Sequence, residues 1–451
     1  MAPSTSTDLR AAFARRLSDM YGGEVPAYTT LVEVAHEVNA EVLEREGSAA
    51  ERLGSIDRVT AERHGAIRVG SPAELEQVGR VFAAMGMHPV GCYDLRDAEP
   101  APLPVVSTAF RPVDPAELAQ NPFRVFTSVL VPEDRRFFAA DLQQRVQRFL
   151  AARTLFPPEL LELADRAVGE GGLLEPDTAR FLDLATAAFA LSPEPIDQGW
   201  YDELARVSGV AADIAGVTST HVNHLTPRVL DIDLLYRRMQ DRGVEMIDGI
   251  QGPPRWAGPD VLLRQTSFRA LAEPRPMRSA SGAVVPGELR VRFGEVEARG
   301  IALTPAGRDV VDALPPDAAA WGAALPPTEA GLAAAGLAWF SASVAPAADD
   351  LRAAGRRPPT GGGALVAAGW VRLDPVVYED FLPRSAAGIF RSNLADDGTR
   401  ASDDMAEAGV QRDAAWLSGA LGREVHDPMD LYAGQVERSW AATRSALGLA
   451  S

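Results

Sequence analysis

Two short segments of this chain place an arginine four residues after a histidine: "HGAIR", His64 to Arg68, and "HLTPR", His224 to Arg228. Both read as strands, where side chains alternate between faces and residues two and four apart look the same way. His64, Ala66 and Arg68 then share a face, as do His224, Thr226 and Arg228. Four strand residues span about 13 Å, which suits a metal at one end and an anion at the other. A neutral imidazole is a ready metal ligand. A guanidinium keeps its charge at any working pH and grips a carboxylate with two parallel hydrogen bonds. A lone strand histidine beside an arginine is more often structural. Two copies, in a chain with only six histidines, favour a shared metal.

Two histidines need a third ligand. In "RVRFGEVEARG", Phe293, Glu295, Glu297 and Arg299 alternate onto one strand face. A carboxylate there is costly to bury unless it is paired or metal-bound; the plain alternative is a solvent-facing edge of Glu, Glu and Arg. Periodicity does not choose between Glu295 and Glu297. Either would complete a two-histidine, one-carboxylate set, which leaves open positions on Fe(II) for substrate and O2. Zinc takes similar ligands, so residue types alone leave the metal open. His221 falls out of phase with His224 and reads as structural or as a partner to a ligand. His36, His88 and His426 read as packed or surface residues, and Cys92 as a small buried one. No P-loop, dinucleotide-binding glycine pattern or nucleophile elbow is present.

The elements that must position these residues follow from periodicity. Residues 1–60 read as helical, with apolar residues at three-and-four spacing. Residues 61–114 read as strand, helix, strand, strand, the helix opening at Ser71 with Glu74 three residues on. Residues 115–215 read as a helical insertion. Residues 216–312 repeat the strand–helix–strand order, "VEMIDGI" among the strands and "AEPRPMRSASGAVVPGE" as a Pro/Gly/Ser loop. Residues 313–451 form a helical and turn-rich region that can place side chains over a site. The class is α+β, with two similar βαβββ modules and large helical insertions.

A net charge of −18 argues against a nucleic-acid partner and an anionic membrane surface. The single cysteine excludes an intrachain disulfide framework and a cysteine-rich zinc site, and points to the reducing cytoplasm. No apolar run has the length of a signal peptide core or a membrane span.

The strings "RHGAIRVG", "MGMHPVGCYDL", "STAFRP", "PFRVFTS", "NHLTPRVLDID", "LLRQTSF", "FGEVEARGIALTP" and "VYEDFLPRSAAGIFRSNL" resemble the bacterial 2-oxoadipate dioxygenase/decarboxylase family, also called D-2-hydroxyglutarate synthase. The likeness runs from about residue 10 to the C-terminus. It implies a vicinal-oxygen-chelate core of paired modules around one metal. It also implies Fe(II) as cofactor, and a reaction of 2-oxoadipate with O2 that yields D-2-hydroxyglutarate and CO2 in lysine catabolism. By motif, the family's metal ligands fall on His64, His224 and Glu295, and its substrate-binding arginine on Arg68. Gln265, Arg384 and Ser385 are further candidates to line the pocket. Arg384 stands where the family pattern has a small apolar residue, which leaves the preferred 2-oxo acid open. Two alternatives stand beside this reading: a metal-dependent isomerase or dioxygenase of the same superfamily acting on another 2-oxo acid, and a non-catalytic protein that binds a small acid.

Overall fold

The computed structural model describes residues 3–98, 102–290, 292–382 and 411–449. Two long helices, Ser6–Glu24 and Pro26–Glu46, open the chain. Thr5 and Asp8 cap the first reciprocally, and proline starts the second where its missing N–H costs nothing. Their apolar stripes, Leu9, Phe13, Leu17 and Leu31, Val34, Val38, enter the main core.

Strand β1 (Arg63–Val69) follows, then the helix Pro72–Ala84, then β2 (His88–Asp94) and β3 (Val105–Arg111). Ser71 caps that helix by accepting from the Glu74 amide at 3.2 Å. A fourth strand, β4 (Arg124–Leu130), lies within the stretch 115–215 that sequence marks as helical. All seven of its residues are buried, because it runs between β3 and β1 in the sheet centre. "RVFTSVL" therefore lacks the in–out alternation that betrays a half-exposed strand. The rest of that stretch is mainly helical, with the short β5 (Ile196–Asp197) near its end.

β6 (His224–Pro227) runs antiparallel to β1 and completes a five-stranded sheet of order β2-β3-β4-β1-β6. Its register sets His64 opposite Thr226 and Ala66 opposite His224. Directly opposed residues share a face, so both imidazoles leave the sheet on the same side.

In the second half a helix, Ile232–Asp241, again follows the opening strand. β7 (Leu263–Ser267) and β10 (Glu295–Arg299) pair with each other, Glu295 opposite Ser267 and Glu297 opposite Gln265. They join the larger sheet through a bridge between Arg228 and Glu297, where the Val229 amide donates to the Glu297 carbonyl at 2.8 Å. "VEMIDGI" is not a full strand: it makes a Met246–Phe268 bridge and then bends at Asp248–Gly249. The expected Pro/Gly/Ser loop is instead a hairpin, β8 (Glu273–Arg278) and β9 (Val284–Leu289), flanked by β5. Its prolines and largely exposed faces mask the strand signal.

Near the C-terminus, β11 (Phe340–Val344) and β12 (Val371–Pro375) pair antiparallel under the helix Pro428–Ala446. That helix grips β11 through Ser439 and Thr443, which bond the Ala342 amide and carbonyl at 2.9 and 3.0 Å. The chain leaves β12 as the segment 376–382 and runs to the sheet face that carries the histidines. The fold is thus mixed α and β, and among the described residues no helix is long and apolar enough to cross a membrane.

Candidate metal centre

β1, β6 and β10 deliver His64, His224 and Glu295 to one point. Their ligand atoms all lie within 4.8 Å of one another, and all three residues are buried. The Nε2 atom of His224 is 3.3 Å from one Glu295 oxygen, and that of His64 is 3.9 Å from the other. Donors each ~2.1 Å from a shared ion are about 3.0–3.5 Å apart. One separation falls inside that span and the other just beyond it. Phe381 stands edge-on to His64 and Phe293 lies tilted against His224, each with ring centroids 5.0 Å apart. Apolar walls of this kind keep the local dielectric low.

The electrostatics fit a cation. Burial pushes both imidazoles below their ordinary pKa, and His64 and Arg68 add to the effect at His224. Both histidines are held neutral, the form that binds metal. Burial drives the Glu295 carboxyl well above its usual range, neighbouring Glu297 adds to this, and Arg299 only partly opposes it. A buried carboxylate so placed needs a proton or a cation. A divalent ion within reach of two neutral imidazoles meets that need, so the residues present suit a metal of the two-histidine, one-carboxylate kind.

Glu297 has a different fate. It accepts from Arg299 at 2.6 and 2.9 Å and from Arg124 at 3.3 Å. Burial raises its carboxyl, but Arg299, then His64 and Arg124, outweigh burial and hold it at about 2. Its Oε2 lies 3.0 Å from His64 Nδ1, set off the line of a full hydrogen bond. The geometry therefore gathers Glu295, not Glu297, with the two histidines.

Arg68 is buried and bonds Asp213, whose carboxylate also takes the Asn223 amide at 2.8 Å and lies 3.1 Å from His221 Nε2. Burial opposes ionisation of Asp213, yet His221 and Arg68 hold its carboxyl well below the ordinary range. His221 thus belongs to the cluster that Asp213 forms with Arg68 and Asn223. Arg228, at the same spacing from its histidine, is likewise paired. It donates to Glu62 and to the Leu53 carbonyl, both at 2.9 Å. Gln265 is buried on the β7 position facing Glu297. Arg384 and Ser385 lie outside the described residues. His88 and His426 face each other edge-on at 6.0 Å, away from these ligands, and Cys92 is half-buried.

Sequence reasoning passed over Asp213, Arg124, Glu62 and Phe381. Asp213 had a visible signal, being the single charge in the run "GVAADIAG".

A family model for 2-oxoadipate dioxygenase/decarboxylase matches residues 13–393. A 2-oxoadipate dioxygenase/decarboxylase of Mycobacterium tuberculosis is 60% identical over 427 residues, covering 94% of this chain and 95% of that protein. One from Pseudomonas putida is 40% identical over 467 residues, covering 98% and 97%. The crystal structure of hydroxyglutarate synthase from Pseudomonas putida in complex with 2-oxoadipate superposes with a TM-score of 0.85 at 37% identity, covering 99% of this chain and 100% of that one. With a matching model over most of its length and relatives aligned nearly end to end, the chain belongs to the 2-oxoadipate dioxygenase/decarboxylase family.

Proposed function

We propose that this protein holds Fe(II) between His64, His224 and Glu295 and converts 2-oxoadipate and O2 into D-2-hydroxyglutarate and CO2. The observation that carries the proposal is the buried carboxylate of Glu295, unmatched by a close arginine among the described residues and faced by two neutral imidazoles. Bound iron would supply an electron source for O2 and a template that orients both reactants.

The chain's own residues then fix what reacts. Arg68, steadied by Asp213, offers its guanidinium to the distal carboxylate of a diacid and so sets which carbon faces the metal. Phe293 and Phe381 exclude water around the histidines. Gln265, Arg384 and Ser385 complete the pocket in this reading, and the added cation of Arg384 favours a dianionic substrate. The reading also takes the β1 and β6 units as paired vicinal-oxygen-chelate modules and retains the five-part division 1–60, 61–114, 115–215, 216–312 and 313–451. It places the enzyme in cytoplasmic lysine catabolism.

The test is direct. Fe(II)-loaded protein is supplied with a panel of 2-oxo acids under 18O2, and oxygen uptake and product mass are followed. The expected result is uptake with 2-oxoadipate, one CO2 released, and 2-hydroxyglutarate carrying one labelled oxygen in its new carboxylate and one in its hydroxyl. No uptake with any 2-oxo acid, or equal turnover with Zn(II), would overturn the proposal.

A further inference from the structure

We infer that Glu297 is a positioning residue that sets the ring of His64, and that Arg299 and Arg124 couple its placement to the segment 376–382. This rests on the reading of His64, His224 and Glu295 as a metal set.

The two histidines are supported unequally. His64 Nδ1 faces Glu297 at 3.0 Å, which turns Nε2 toward Glu295. Neither Nδ1 makes a full hydrogen bond among the described residues, and no carboxylate there stands as close to His224 Nδ1 as Glu297 does to His64. A carboxylate behind a ligating imidazole fixes the ring and raises its basicity. Among the described residues His64 has such a carboxylate behind it and His224 does not.

Glu297 is itself immobilised. Arg299 bonds both of its oxygens, and Arg124 bonds one. Arg299 in turn donates to the carbonyls of Tyr378 and Asp380 at 2.7 and 3.2 Å. Arg124 bridges onward to Glu62 at 2.7 Å and to Glu379. Asp380 is clasped by Arg111 at 2.8 and 3.2 Å and by the Tyr432 hydroxyl, which also accepts from the Glu379 amide at 2.8 Å. Next in sequence, Phe381 presses its ring on His64. Tyr432 lies on the helix Pro428–Ala446. One side of His64 is thus set by Glu297 and another by Phe381, and both depend on how the same segment is seated.

A double-mutant cycle tests this. Zn(II) affinity, read by competition with a chromophoric chelator, is measured for wild type, Glu297→Gln, His64→Ala and the double variant. Loss of such a partner typically weakens metal binding roughly 10- to 100-fold. That loss is expected when His64 is present and should shrink below about twofold in the His64→Ala background, because Glu297 acts through His64. Co(II) spectra should shift in Glu297→Gln and not in the double variant relative to His64→Ala. An equal loss in both backgrounds, or none in either, would overturn the inference. Arg299→Lys keeps the charge but not the two-pronged grip, and its loss should be smaller and equally dependent on His64. If Glu297→Gln fails to fold, the cycle with Arg299→Lys decides by the same criterion. Zn(II) binding indifferent to His224→Ala would instead overturn the metal reading itself.

Discussion

Glu295 and Glu297 stand two residues apart on one face of β10, both buried, in opposite surroundings. Glu297 belongs to a closed ionic cluster with Glu62, Glu379, Arg58, Arg124, Arg228 and Arg299, in which each carboxylate meets at least one guanidinium. Among the described residues, Glu295 meets two neutral imidazoles and no guanidinium at close range. Burial opposes ionisation in both regions. The arginines reverse it in the cluster, and nothing in the described chain reverses it at Glu295. A matched cluster is scaffold; an unmatched acid among neutral donors is a place for a cation.

The contrast can be broken most sharply by substitution. Glu295→Ala and His64→Ala are each expected to abolish turnover and to bind metal far more weakly, as oxygen uptake and chelator competition would show. In the presence of chelator, Glu295→Gln should raise the melting temperature, since it removes an unpaired buried acid. Glu297→Gln should do the reverse. Arg299 keeps Glu62 at 3.3 Å and Arg124 keeps Glu62 and Glu379, so the loss of their charge-assisted bonds to Glu297 should cost about 1.5–3 kcal/mol, measurable by urea unfolding with chelator present. Two neutral substitutions, two residues apart, thus move stability in opposite directions.

Arg68→Ala tests the anion side. Losing a charge-assisted clamp on a buried carboxylate costs roughly 2–5 kcal/mol in kcat/KM, while metal content should survive. Near-normal turnover at low substrate would remove Arg68 from that role.

The pH response separates the same two acids more gently. Glu62 and Glu297 have lowered folded-state pKa values, so their stabilisation is present above the ordinary value of 4.5 and is lost as pH falls from there. For Glu297 that loss is complete near its folded value of about 2. Glu295 has the opposite sign: its folded pKa is raised, so in metal-free protein it weakens the fold as pH rises above 4.5. The melting-temperature gap between Glu295→Gln and wild type should therefore widen with rising pH under chelator and disappear when metal is added. Least sensitive of all should be an exposed pair. Arg180 and Glu159 are each about half exposed, and Arg180→Ala is expected to shift the melting temperature by less than about 1 °C.

Much of the site is legible in sequence because strand alternation is local. The spacing in "HGAIR" and "HLTPR" is enough to direct two imidazoles to one sheet face, which the β1–β6 register then aligns. The same logic cannot separate Glu295 from Glu297. Both alternate onto one face, and part of what distinguishes them is Arg124, 173 residues earlier in the chain. Nor does it show the acids these arginines meet: Arg68 lies beside Asp213, 145 residues away, and Arg228 beside Glu62, 166 residues away. β4 stays hidden because burial on both faces erases alternation, and the β8–β9 hairpin because proline-rich exposed ribbons resemble loops. Local pattern reports orientation; long-range pairing decides what an oriented residue can do.

The most direct measurement is anomalous diffraction at the iron edge from crystals loaded with Fe(II) without oxygen. A single strong peak bounded by the Nε2 atoms of His64 and His224 and a carboxylate oxygen of Glu295, with Glu297 still on Arg299, is the expected result. A peak elsewhere, or none at this point in fully loaded crystals, would contradict the assignment of these three residues to one ion.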